Sequence, residues 1–229
     1  MTLKLIMPMA GMGTRFVQQG YSLPKPIIDV AGKPMFVRSV ESIGIDFDDY
    51  IFIAQAEHNI SSTIRKYYPQ SKIIELNKPT QGAACTVLTA QDYLADTDSL
   101  FVCNCDNFMQ WDKDKFIAQQ HNDGVIMVFE ENEKDPKWSF AQVENNKVVR
   151  VAEKNPISKW ATSGHYYWRS WSLFKQSANR MIEAKDTVNG EYYLCPVYNY
   201  TQGDIVTVQI DDMQGVGTPE ELQSWLESH

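Results

Sequence analysis

The chain has 229 residues, 43% hydrophobic and 22% charged, a make-up that fits a soluble globular protein and excludes a disordered or fibrous one. Surface scaling has such a chain hide roughly 70% of its unfolded surface, so the core needs no disulfide or metal staple. Lys and Arg number 21 against 29 Asp and Glu, and the net charge of −8 is scattered, which argues against nucleic acid as a partner because that needs a concentrated basic face.

Residues 3–9 are almost continuously apolar, as expected of a strand buried on both faces of a parallel sheet. They end in the turn Ala10-Gly11-Met12-Gly13-Thr14-Arg15, after which no helical pattern opens. Short apolar runs at 50–54, 72–76, 100–103 and 125–129 alternate with helix-like segments at 35–43, 58–68 and 83–94. That alternation implies right-handed crossovers and an α/β, doubly wound, mostly parallel central sheet with helices on both faces.

After residue 135 the pattern changes. Residues 139–143 and 147–152 read as a hairpin turning at Asn145-Asn146, and 161–168 as an aromatic strand. Helices are expected at 172–184 and 191–201, then a strand at 205–210. A terminal helix runs over 219–226, opened by Thr218-Pro219-Glu220-Glu221. The small antiparallel annex belongs to an acceptor half, 131–229, fused to a nucleotide half, 1–130, in a single domain.

The chemistry concentrates at the turns. Two glycines after a buried strand let backbone N–H groups approach an anion, Arg15 offers a phosphate fork, and Lys25 stands on the stiff loop Pro24-Lys25-Pro26. A dinucleotide fingerprint fits less well, because Phe16 takes the third glycine position, and no Walker-type lysine follows. Asp106, in Cys103-Asn104-Cys105-Asp106-Asn107, follows a predicted central strand, where ligands gather in open α/β sheets.

The run from Met7 to Pro34 resembles the sugar nucleotidyltransferases, whose signature is G-x-G-T-R, then P-K-P and G-K-P-M. The resemblance implies transfer of a nucleoside monophosphate from a nucleoside triphosphate to a phosphorylated small molecule, a sugar 1-phosphate before others, with release of pyrophosphate. It sets Ala10, Gly11, Gly13 and Thr14 around the nucleotide, Arg15 and Lys25 on its phosphates, and Pro79, Gln81 and Gly82 at the base. Asp106 takes the place of the family's Mg²⁺ carboxylate, and a hard oxygen donor suits that ion.

In Val151-Ala152-Glu153-Lys154-Asn155-Pro156 the same resemblance places Glu153 and Lys154 at the acceptor and its phosphate. Gly164 falls in the strand lining the acceptor pocket, and Glu191 meets acceptor hydroxyls. Many family members carry a second metal aspartate where this chain has Gly215; Asp211 and Asp212 are near in sequence, but strand spacing sets them too far away. Aromatic residues around Trp138, Tyr166 and Tyr193 are expected mostly in the core, some against the acceptor.

Three alternatives stay open: a cytidylyltransferase for a non-sugar phosphate, a non-catalytic nucleotide-binding module, and a glycosyltransferase, which would usually show D-x-D where Asp106 is followed by Asn107 and Phe108; assembly as a homo-oligomer is open as well. Four cysteines without a C-x-x-C pair suggest reduced thiols and a cytoplasmic setting, and no run approaches a membrane span or a secretion signal.

Overall fold

The computed structural model describes residues 2–229. Its centre is β1 (Leu3–Met9), whose alternate side chains serve opposite faces: Ile6 enters one apolar cluster, Leu5 and Met7 the other. One turn of helix, α1 (Thr14–Gln18), starts directly at the glycine turn, contrary to the expectation of no helix there. Five residues are too few to show a helical repeat, and Gly13 rather than a polar side chain forms the cap.

A small ribbon, β2 (Asp29–Val30) and β3 (Lys33–Pro34), leads into α2 (Met35–Ile43). Next come β4 (Asp49–Gln55), α3 (Ser61–Tyr67), β5 (Lys72–Leu76), α4 (Ala83–Leu88), β6 (Ser99–Cys103), β7 (Asn107–Gln110), α5 (Lys113–Ile117) and β8 (Gly124–Glu130). The second half of the chain contributes β9 (Ser139–Glu144), β10 (Lys147–Glu153), β11 (Trp160–Trp168), α6 (Trp171–Glu183), β12 (Ile205–Gln209), β13 (Asp212–Gly215) and α7 (Pro219–Ser228).

The large sheet runs β10-β9-β11-β6-β1-β4-β5, with β8 paired to β11 and β12 outside β8. β1 lies parallel between β4 and β6, and β12 is parallel to β8; β11 is antiparallel to both β6 and β8. A strand from the second half is thus inserted beside the first half's central strands. The hairpin turns at Asn145 and Asn146, both with positive φ.

Several predicted helices are shorter. Asn59, at φ 49°, separates a 3₁₀ turn from α3, and the segment starting at 83 breaks after Leu88 into a second 3₁₀ turn. Residues 191–201 are not an α-helix but an irregular start, with one bridge from Glu191 to Val188, followed by a 3₁₀ stretch, Cys195–Tyr200, with Pro196 in its first turn. Tyr198 explains that geometry: its hydroxyl proton is shared between the carbonyls of Val125 (3.1 Å) and Tyr167 (2.9 Å), its oxygen accepts from Tyr167 N–H (3.1 Å), and its ring stacks on Trp168 at 4.3 Å.

Candidate active site

Parallel β1 and β6 end side by side, so the loops after them, 10–14 and 104–106, share one rim. Gly13 is left-handed (φ 60°), and a Cβ there would lie 3.2 Å from the Cβ of Lys25; this close approach needs glycine. Ser39 Oγ donates to the Asn104 carbonyl (2.6 Å), Asn104 N–H to the Gly164 carbonyl (3.1 Å), and Val216 N–H to the Asp106 carbonyl (2.8 Å). Gly164 (φ 79°) leaves room for the Asn104 and Asn107 amides, which a Cβ would meet at 2.5 and 2.7 Å.

Two cavities meet at this rim. One of about 250 Å³ is lined by Gly13, Thr14, Arg15, Lys25, Asp106 and Gly217. The other, about 370 Å³, lies between Arg15, Asp106 and Gly217 on one side and Glu153, Lys154, Gly164, Trp138 and Tyr193 on the other. A ligand that spans both must therefore pass Arg15, Asp106 and Gly217.

The charges alternate around this passage. Lys25 Nζ pairs with Asp106, and each side chain is only 19% exposed. Burial alone would lower the Lys25 pKa, but the Asp106 carboxylate outweighs it and the net shift is upward. Lys25 is thus a held cation. Burial lifts the neighbouring Cys105 thiol to about 12, which keeps it neutral.

On the far wall of the larger cavity, Lys154 has φ 54°, a strained conformation for a side chain other than glycine. Its Nζ donates to Tyr193 Oη (2.6 Å) and stands 4.6 Å over that ring. Glu153 accepts from Ser139 Oγ. Burial raises the Glu153 pKa, opposed by Ser139 and Lys154, while Glu191 adds to the rise. Glu191 is exposed and does not wall the cavity, although it lies within electrostatic reach of Glu153 and Tyr193.

Of the segment expected at the base, Pro79, Gln81 and Gly82 do not line the larger cavity, which only the following Ala83 reaches. Tyr192 N–H donates to the Gln81 carbonyl (2.8 Å), and Ala84 N–H donates to the Tyr192 carbonyl (3.0 Å). A Cβ on Gly82 would come 2.5 Å from that carbonyl. Ala10 is buried at the strand end, where its carbonyl accepts from Gln55 Nε2 (3.0 Å), and Gly11 borders the space around Lys25 and Asp106.

Among the described residues no three His, Cys, Asp or Glu side chains converge on a metal position. A smaller cradle exists. The missing side chain of Gly217 leaves a gap flanked by Asp106 Oδ2 and Glu221 Oε2, 3.0 and 3.5 Å from where its Cβ would be. Both are hard oxygen donors of the kind that suits Mg²⁺, but each already has a partner, Lys25 Nζ on Asp106 Oδ2 and Thr218 N–H on Glu221 Oε2, so an ion held here would take the place of Lys25 on Asp106. Asp211, 65% exposed and beside Lys115 at 4.0 Å, and Asp212, on β13 opposite Gln110, face elsewhere.

Glu221 and Lys137 went unnoticed in the sequence as site residues. Glu221 was legible only as the third residue of a helix-capping box, a role it also fills: Thr218 N–H donates to Oε2 (3.1 Å). Lys137 lies in the 131–138 connection, where nothing in the spacing marks it.

A family model described as nucleotidyl transferase matches residues 4–222. Two curated relatives are similar over part of the chain. The bifunctional protein GlmU of Methanocaldococcus jannaschii is 28% identical over 162 residues, 69% of this chain and 38% of its own length. The mannose-1-phosphate guanylyltransferase catalytic subunit beta of Dictyostelium discoideum is 25% identical over 165 residues, 68% of this chain and 46% of its own. The chain thus spans less than half the length of these relatives. A solved nucleoside-diphosphate-sugar pyrophosphorylase from Vibrio cholerae RC9 superposes with a TM-score of 0.84 at 27% identity, covering 97% of this chain and 99% of that one.

Proposed function

The chain belongs to the nucleotidyl transferase family, and from that premise we propose that it moves a nucleoside monophosphate from a nucleoside triphosphate to a phosphorylated small molecule, a sugar 1-phosphate first among candidates. The observation that carries the reading is the shared wall: the cleft at the glycine turn and the acceptor cavity have Arg15, Asp106 and Gly217 in common. A triphosphate in the first and a phosphate in the second bring donor and acceptor together there.

The acceptor phosphate is already anionic near pH 7, so its oxygen can attack the α-phosphorus without a general base. A new P–O bond forms as the bond to the β-phosphate oxygen breaks, and pyrophosphate leaves. Arg15 and Lys25 neutralise that leaving group, and Lys154 holds the acceptor phosphate; catalysis is positioning and charge stabilisation. Asp106 and Glu221 would hold Mg²⁺, which supplies charge neutralisation across phosphate oxygens when bound. A purely binding module would have no use for held cations on both sides of the wall.

We also place the enzyme in the cytoplasm, a reading supported by its four free thiols and by the absence, among the described residues, of a helix long and apolar enough to cross a membrane. Pyrophosphate release over four nucleoside triphosphates and a panel of sugar and non-sugar phosphates tests the reaction and names the base. Turnover with a sugar 1-phosphate is expected. Activity with CTP and a non-sugar phosphate alone would establish the cytidylyltransferase alternative, and no release with any pair would overturn transfer.

A further inference from the structure

The larger cavity contains one cation with no part in the scheme above. Lys137 enters it from the 131–138 connection, with Nζ 4.7 Å over the Trp138 ring, 3.1 Å from Glu221 Oε1 and 3.6 Å from Asp135. Lys154 likewise lies near an aromatic side chain, with Nζ 4.6 Å from the Tyr193 ring centre, but there the phenol oxygen at 2.6 Å is the nearer partner. The two lysines come from adjoining chain segments: Ser139 pairs with Glu153 across β9 and β10, and Lys154 N–H donates to the Trp138 carbonyl (3.0 Å). An aromatic face under an ammonium fixes its position without cancelling its charge.

Electrostatic balance gives the pair a task. A phosphate monoester carries between one and a half and two negative charges near pH 7, roughly, so Lys154 alone leaves it undercompensated. Lys137 is bound to Glu221 by a half-exposed ion pair, 48% and 29% accessible, of the kind that water and salt make weak. Glu221 loses little by releasing it, because Oε2 keeps the hydrogen bond from Thr218 N–H that caps α7. The lysine is therefore positioned but available.

We propose that Lys137 is a second binding cation for the acceptor's phosphate, parked on Glu221 and Trp138 in the free protein and transferred to phosphate oxygens when the acceptor enters. The assignment rests on the transfer reading for its ligand, yet its test needs no turnover. With Lys137 and Lys154 on one side of the phosphate and Arg15 on the other, the acceptor is gripped through its charge, so selection falls on phosphorylated molecules and their unphosphorylated counterparts are rejected.

The test labels the full chain with 5-fluorotryptophan, assigns the Trp138 ¹⁹F resonance by its loss in Trp138→Phe, and titrates inorganic phosphate. A saturable shift of that resonance is expected, with the midpoint raised at least tenfold in Lys137→Met and within threefold of the original in Lys137→Arg. No response at Trp138, or the same midpoint in Lys137→Met, overturns the proposal. With an active acceptor in hand, Lys137→Met should raise the acceptor KM at least tenfold and leave the nucleotide KM within twofold; equal loss for both substrates would reassign Lys137 to the nucleotide and also overturn it. If phosphate binds through Lys137 while no substrate pair releases pyrophosphate, the transfer reading fails and Lys137 stands as a phosphate-binding cation without an acceptor.

Discussion

Gly13 meets two requirements at one residue: a left-handed backbone and a place for Lys25 beside it. A β-branched side chain there costs roughly 1–2 kcal/mol of backbone strain and pushes on Lys25. Gly13→Val is expected to fold with lowered stability and to bind a nonhydrolysable triphosphate weakly by calorimetry; unchanged affinity would remove the turn from the site. Arg15→Ala and Lys25→Ala should lower kcat more than they raise the acceptor KM, on the scale of about 3 kcal/mol known for lost transition-state donors. Asp106→Asn should nearly abolish turnover across a magnesium titration, whereas Asp211→Asn and Asp212→Asn should be mild because both face away from the cavities. A severe defect in either would show that the carboxylates were misassigned.

At the scale of elements, α7 links helix capping to the site. Thr218 and Glu221 form a reciprocal cap, so Thr218→Ala should cost about 1 kcal/mol by urea denaturation. It should also loosen the carboxylate opposite Asp106, which a weakened magnesium dependence would reveal. An unaltered magnesium profile in the folded variant would separate the cap from the cation cradle. The motif was legible in Thr218-Pro219-Glu220-Glu221, but only as a helix start: the Asp106 partnership depends on β13 pairing with β7, a contact across about a hundred residues that local spacing does not encode. Gly13, Lys25 and Asp106 were readable because glycines, prolines and a strand-end carboxylate leave local marks. Lys137 left none, since its site is made by a strand pairing and by Glu221 from the far end of the chain. Likewise, 191–201 has helix-like spacing but is held as 3₁₀ by Pro196 and by the bonds of Tyr198 to two strands.

Across the whole molecule, the inserted β11 supports the site loop, its Gly164 and Ser163 carbonyls accepting from Asn104 N–H and the Asn107 amide, and it burdens the fold with a pH dependence. His165 sits on β11 opposite Cys103, fully buried, with Nδ1 beside Ser163 and no hydrogen-bond partner for Nε2 among the described residues. Burial lowers its pKa to about 4, only partly opposed by Ser163 and Asp106. The unfolded chain takes up the proton near pH 6.5 and the folded one only near 4, so the histidine carries no penalty above 6.5 and destabilises progressively as pH falls between those values. Glu153 acts in the opposite sense, because its raised pKa means that acidification relieves the cost of burying its charge. The histidine is therefore isolated by difference: between pH 7 and 4.5, the original chain should lose about 2–3 kcal/mol more urea stability than His165→Gln. Equal losses would mean that His165 is already protonated in the folded state at pH 4.5, and β11 would then have to shelter a buried charge within electrostatic reach of Asp106.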